Sequence, residues 1–185
     1  MARLVFAKVG VSSANGIVGL LPAFAHGRFA GTNVATGLLF AARGLGALIG
    51  PLITRGLGGA TPSYRAIVIM CGVSTLSFAG VYVVFPFAPW FWLAMGLVML
   101  AHLGGGAQWS LSTYGLQVAT PDHLRGRVMS LDYGLATFAI GVSSIVAGFL
   151  ADAWGESITT WALAGVAAVY GSGWLIWSLR PALAR

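Results

Sequence analysis

The sequence predicts an all-α polytopic membrane protein, one bundle of six transmembrane helices filling residues 1–185. Three observations predict it. Of 185 residues, 58% are hydrophobic and only 8% are charged, against about 25% charged in an ordinary soluble domain. So few charges cannot clothe a water-facing surface without leaving large apolar patches exposed. Polar punctuation divides the chain into six apolar stretches, each close to the ~20 residues that cross a bilayer. The 27 glycines suit helix backbones that approach closely in lipid. An ordinary soluble enzyme and a disordered chain are excluded. The net charge of +6 does not mark a nucleic-acid binder, because its ten Lys and Arg are scattered singly, whereas a phosphate-binding groove clusters them. The single Cys71 excludes a disulfide framework.

The first span covers 4–24. Arg3 and Lys8, the apolar run and Ala23-Phe24-Ala25 also fit a signal peptide ending at a small-residue cleavage site. Ser12, Ser13 and Asn15 inside the run, and its direct passage into another span, favour a membrane helix. His26-Gly27-Arg28 separates it from the second span, 34–53, and Arg55-Gly56 through Pro62 separates that from the third, 67–87. Pro86 and Pro89 precede the fourth, 90–109, which extends to 118. The segment from Pro121 to Arg127 leads into the fifth, 128–150, and Asp152 to Glu156 divides it from the sixth, 157–179.

Charge orients the bundle. With a cytoplasmic N-terminus, the inside holds Arg3, Lys8, Arg55, Arg65, Arg125, Arg127, Arg180 and Arg185, and the outside holds only Arg28. This positive-inside bias places both termini in the cytoplasm of a cell (plasma or inner) membrane. Trp90, Trp92, Trp154 and Trp161 suit interfacial anchoring. The second and fifth spans also resemble one another. Gly37–Arg55 and Gly134–Asp152 share four identities in 19 positions, and the threading gives the two spans opposite directions. They occupy equivalent places in two three-helix units, which predicts a 3+3 inverted repeat.

Several residues carry candidate function. Arg43 lies near the middle of the second span, where a charge costs about 2.5–3.5 kcal/mol on insertion scales. It is expected to face a water-filled cavity or a partner; the alternative is a structural Arg bonded to carbonyls or snorkelling along its stem. His102 on the fourth span fits a proton relay or a solute contact, or a packing residue. Asn15 and Gln108 offer uncharged hydrogen bonds to a substrate, or cross-links between helices. Together Arg43, His102, Gln108 and Asn15 form the predicted substrate cavity. Gly104-Gly105-Gly106 predicts a locally weak fourth helix that permits bending or close approach of backbones. Pro121 ends that helix, and Gly126 is expected to let the chain turn. Arg125 and Arg127 then present fixed charges to headgroups or acidic partners, or belong to a solvated loop that only sets topology. Asp132 is expected about a turn and a half inside the fifth helix, near its positive end.

The string from Pro121-Asp122-His123-Leu124-Arg125-Gly126-Arg127 to Leu131, with Gln117 before it and Asp132 after it, resembles the loop between the tenth and eleventh helices of the major facilitator superfamily. The likeness is best to the branch of enterobactin exporters and related bacterial efflux proteins. Gly37 through Gly44, Gly46 and Gly50-Pro51 resemble the eighth helix of that branch. The resemblance covers nearly the whole chain, but only the C-terminal half of a typical twelve-helix member. It implies an efflux carrier of small amphipathic, drug- or siderophore-like molecules. Such a carrier works by alternating access, with a second six-helix half or a second copy of the chain as partner. It also implies a cytoplasmic gate, in which Asp132 pairs with Arg55 or Arg65. Gly37, Gly46 and Gly50-Pro51 match the spacing of an antiporter motif as well, but Thr54-Arg55 replaces its closing glycine pair. They are read as close helix packing with a kink.

Other classes fit worse. The nearest strings to the rhomboid Gly-x-Ser-Gly nucleophile are Gly10-Val11-Ser12-Ser13 and Gly141-Val142-Ser143-Ser144, and no His follows His123; the chemistry needs one. Three dispersed His and one Cys make no zinc site, and there is no P-loop. No enzymatic activity and no cofactor are expected. The partners expected are the lipid bilayer, a small-molecule substrate and a second bundle, with no nucleic acid. A truncated or non-transporting membrane subunit that pairs with another membrane protein is the alternative.

Overall fold

The computed structural model describes residues 2–58 and 61–180. Six spanning segments follow one another: α1 (Arg3–Arg28), α2 (Asn33–Gly58), α3 (Tyr64–Val84, continued by a 3₁₀ turn at Phe85–Phe87), α4 (Phe91–Ala119), α5 (Asp122–Trp154) and α6 (Glu156–Leu179). Each is long and apolar enough to cross a membrane. No strand occurs among the described residues.

The helix ends follow local chemistry. Ser63 caps α3, its hydroxyl accepting from the Ala66 N–H at 3.2 Å, which satisfies one of the free donors of the first turn. Gly155 joins α5 to α6 at φ 80, a conformation that glycine takes without strain. The largest departure from the sequence reading is the start of α5, at Asp122 rather than 128. Pro121, extended at φ −56 and ψ 146, breaks the chain at once, and Asp122 sits in the first turn, where unpaired N–H groups favour a carboxylate. Arg125, Gly126 and Arg127 are therefore exposed helical residues, and Gly126 makes no turn.

α1 is not one helix. It is α-helical over Ala2–Val5, Val9–Ala14, Gly16–Gly19 and Leu21–Ala23, and ends in a π-turn at Phe24–Arg28. Gly10, Gly16, Gly19 and Pro22 lower its helical propensity. In lipid every backbone group freed by such breaks needs a partner inside the protein. Other helices supply them: the Trp174 indole donates to the Arg3 carbonyl at 2.8 Å, the Tyr170 hydroxyl to Phe6 at 2.8 Å, and the Gln108 amide to Ala7 at 2.5 Å. The Ser143 hydroxyl accepts from the Gly16 N–H at 2.9 Å. This dependence explains why α1 is the most enclosed span: 72% of its apolar window is buried, against 22% for α2 and 17% for α5.

α4 runs as a continuous helix through Gly104, Gly105 and Gly106; of the bending and the close backbone approach that this run permits, the structure shows the second. Two of these glycines are packed rather than loose. A Cβ on Gly104 would lie 2.7 Å from the Ser74 carbonyl oxygen, and one on Gly106 would lie 2.3 Å from that of Ala47.

Packing follows an exchange between the two three-helix units. α2 lies along α4 and α5 lies along α1, while α3 also packs on α4 and α6 also packs on α1. Glycine permits the first contact. A Cβ on Gly46 would fall 2.2 Å from the Met99 carbonyl oxygen, and one on Gly50 2.0 Å from that of Leu103. At the offset of 97 residues that relates the repeats, Gly46 corresponds to Ser143 and Gly50 to Ala147. Both counterparts abut Gly16 of α1. Gly37, expected at a packing contact, instead faces open space, and α2 continues unbroken through Pro51. The Thr54 hydroxyl donates there to the carbonyls of Gly50 (3.2 Å) and Pro51 (3.1 Å). The described ends of the chain meet: the Arg3 guanidinium donates to the carbonyls of Ser178 (3.0 Å) and Arg180 (2.8 Å).

Candidate functional site

A cavity of about 220 Å³ opens where α1, α2, α4 and α5 converge. α1 contributes Val11, Ser12 and Asn15, α2 Arg43 and Ala47, α4 His102, Gly105, Gly106 and Trp109, and α5 Ile140. Three of the four residues expected to bind substrate thus line one space. The breaks in α1 leave Asn15 at the junction of two helical pieces. Under the repeat offset Arg43 and Ile140 are equivalent, so the same place in both units borders the cavity and only one bears a charge.

Arg43 makes no hydrogen bond or ion pair among the described residues, and its Nε is buried without a partner. His102 is held firmly. Its Nδ1 lies 3.0 Å from the Val98 carbonyl, and Phe78 and Tyr82 meet its ring edge-on at 5.6 and 5.9 Å. Its Nε2 and the Ser12 hydroxyl oxygen are also buried without a partner. Gln108 stands apart from this group. It is fully buried, and its amide donates to Ala7 and to the Thr75 hydroxyl (2.8 Å), so the structure places it as a cross-link between α1, α3 and α4.

Beside the cavity lies a buried ion pair. The Lys8 ammonium bonds to the Asp132 carboxylate, both side chains being inaccessible to solvent, and donates to the Thr113 hydroxyl at 2.9 Å. It also sits 5.2 Å from the Trp109 ring centre and 5.3 Å from that of Tyr133, where ring faces attract a cation. Trp109 therefore touches both the cavity and the pair. The expected partners of Asp132 were Arg55 and Arg65, and the structure corrects this. Neither makes an ion pair among the described residues, and both are exposed. With α5 beginning at Asp122, Asp132 lies about three turns inside the helix, beyond the first-turn reach of its dipole. A full opposite charge holds it instead. Arg55 lines a separate space of about 280 Å³ with Pro51, Thr54, Pro62, Ser110, Leu111 and Tyr114. Arg125 pairs with Asp122 at 2.6 Å on the surface.

A family model described as a transmembrane secretion effector, of the major facilitator type, matches residues 2–181. The chain belongs to the major facilitator superfamily. It is accordingly a multi-pass membrane protein of a transporter family. No curated protein and no solved structure matches it. The candidate site of this facilitator chain includes three residues that sequence reasoning missed: Lys8, Ser12 and Trp109. Lys8 had a legible signal. Within the predicted spans only Lys8, Arg43 and Asp132 are charged, so the one acid must be matched to one of two bases. Counting Lys8 as a topological charge concealed that choice. Trp109 had none, since an aromatic residue at a span end reads equally well as an interfacial anchor.

Proposed function

We propose that the chain is half of a secondary active carrier that exports small amphipathic molecules, drug- or siderophore-like in chemistry, across the cell membrane by alternating access. Both termini lie in the cytoplasm, and the other half is a second six-helix bundle, from another polypeptide or a second copy of this chain. One observation carries the reading: Arg43 borders a cavity in mid-bundle with no counter-charge among the described residues. An intramembrane charge is retained at such a cost where it meets solute or ion. α2 and α5 flank the cavity and bury least of their surface, so they offer the faces against which a second bundle rocks. Pro121, Arg125, Gly126 and Arg127, with Arg55 and Arg65, form the cytoplasmic rim of the gate, and the Lys8–Asp132 pair ties α1 to α5 beneath it.

The exposed apolar faces of α2 and α5 also fit a membrane partner that this chain modulates without transporting. Expression in an efflux-deficient bacterial host separates the two readings. A carrier lowers accumulation of one or more probes in a panel of amphipathic anions, such as fluorescein, and neutral dyes, and Arg43→Ala restores accumulation at unchanged protein level in the membrane. No lowering across a probe panel, by a chain that is well expressed and cross-links to another membrane protein, overturns the carrier reading.

A further inference from the structure

We infer that the Arg43 cavity selects a small organic anion that also carries a hydrogen-bond donor, as a hydroxylated aromatic acid does. The inference rests on reading the cavity as the substrate site and names the chemistry it accepts. The chain has four acidic residues, and each has its place elsewhere: Asp132 on Lys8, Asp122 on Arg125, and Asp152 and Glu156 exposed at the opposite end of the bundle. The charge that balances Arg43 therefore comes from outside these residues. Ser12 adds a hydroxyl with no partner among the described residues.

His102 supplies the second half of the specification. Two groups meet Nδ1, the Val98 carbonyl at 3.0 Å and the Tyr82 hydroxyl at 3.5 Å; a carbonyl only accepts, so the shorter contact assigns the ring hydrogen to Nδ1 and leaves the Tyr82 oxygen as a second, longer acceptor. In the neutral ring Nε2 is then an acceptor, and it too is buried without a partner. A solute with acceptors alone satisfies Arg43 and Ser12 but leaves His102 unmet. A neutral solute leaves Arg43 unmet. A carboxylate with a hydroxyl a few ångströms away answers both. Trp109, Val11 and Ile140 form apolar walls suited to an aromatic body. The volume of about 220 Å³ lies below the roughly 300–1,000 Å³ of drug-sized pockets, which limits the solute, or its inserted end, to about one ring.

The test is equilibrium binding of radiolabelled 3-hydroxybenzoate to the full chain purified in detergent, with competition by benzoate and by 3-hydroxybenzamide. Losing the charge-assisted hydrogen bond should weaken competition by the amide about tenfold or more, and losing the hydroxyl should weaken benzoate about three- to tenfold. Arg43→Gln should erase the preference for acid over amide and keep the hydroxyl preference; His102→Phe should do the reverse. If His102→Phe fails to unfold cooperatively on heating, Arg43→Lys decides, since it should keep the preference for acid. Equal competition by all three compounds overturns the inference, as does an absence of binding, which is the outcome if a carboxylate of a second bundle balances Arg43. Selective binding by a chain that exports nothing would sink the carrier reading alone. Export of neutral probes without a preference for acids would sink this inference alone.

Discussion

The α2–α4 contact and the α1–α5 contact occupy equivalent places in the two repeat units, yet they are built from different materials. Gly46, Gly50 and Gly106 bring α2 and α4 together backbone to backbone, and both helices stay regular. In the other contact the corresponding residues are Ser143 and Ala147, and α1 is broken opposite them. A hydroxyl bonds a freed N–H, and an ion pair joins Lys8 to Asp132. The first contact is held by shape alone, whereas the second adds polar partners to the close approach of Gly16 to the Ser143 backbone, so the second weakens when a single partner is removed. The cavity lies at that break: Asn15, at the junction of two helical pieces of α1, borders it together with Ser12 of the preceding piece.

The sharpest way to break this comparison is to remove one end of the ion pair. Lys8→Ala or Asp132→Ala leaves a buried charge unmatched and should cost about 3–5 kcal/mol, measured by denaturant or thermal unfolding in detergent. The double change Lys8→Met with Asp132→Leu should recover most of that loss. A double variant as unstable as the singles would show that the pair is not what joins α1 to α5. Next in size, Gly50→Ala places a methyl against the Leu103 carbonyl oxygen, a backbone atom that cannot swing aside, and should cost about 1–3 kcal/mol. Gly37→Ala, in open space on the same helix, should instead stabilise by up to about 1 kcal/mol. Equal effects at the two glycines would remove the claim that shape holds the α2–α4 contact. Ser143→Ala deletes the bond to the Gly16 N–H and should cost about 1 kcal/mol, with faster amide exchange at Gly16. Smallest of all, Arg125→Ala breaks only the exposed pair with Asp122 and should shift unfolding by no more than about 0.5 kcal/mol.

Much of the architecture was legible because the bilayer makes simple demands. Six apolar runs of the right length, divided by Pro, Gly and charge, can form only helices in lipid, and the observed spans follow them closely. The repeat was legible too, since Gly46 and Gly50 align with Ser143 and Ala147, and these four residues sit at the two equivalent contacts. What escaped was set by tertiary partners rather than by local pattern. α1 breaks and α4 does not, although both carry helix-weakening glycines. Gly104 and Gly106 are pressed against neighbouring backbone, whereas the groups freed in α1 find Trp174, Tyr170, Gln108 and Ser143. The start of α5 was misplaced because Pro-Asp-His-Leu-Arg-Gly-Arg reads as loop composition, while a proline followed at once by an acidic residue is also how a helix begins. Within the site, Asn15, Arg43 and His102 stood out as polar residues in apolar runs and do share a cavity. Gln108 had the same signature and was claimed instead by backbone that a broken helix left open.

The Lys8–Asp132 pair has a consequence for biogenesis. Its members are 124 residues apart in the chain, and at ~5–20 residues per second of synthesis the lysine is made roughly 6–25 s before the aspartate that will neutralise it. Throughout that interval the first segment carries an ammonium that lipid disfavours and open carbonyls that only later segments can satisfy. It should therefore linger beside the insertion machinery and enter the bilayer together with the fifth segment, so the order of manufacture and the order of membrane entry part company in this chain.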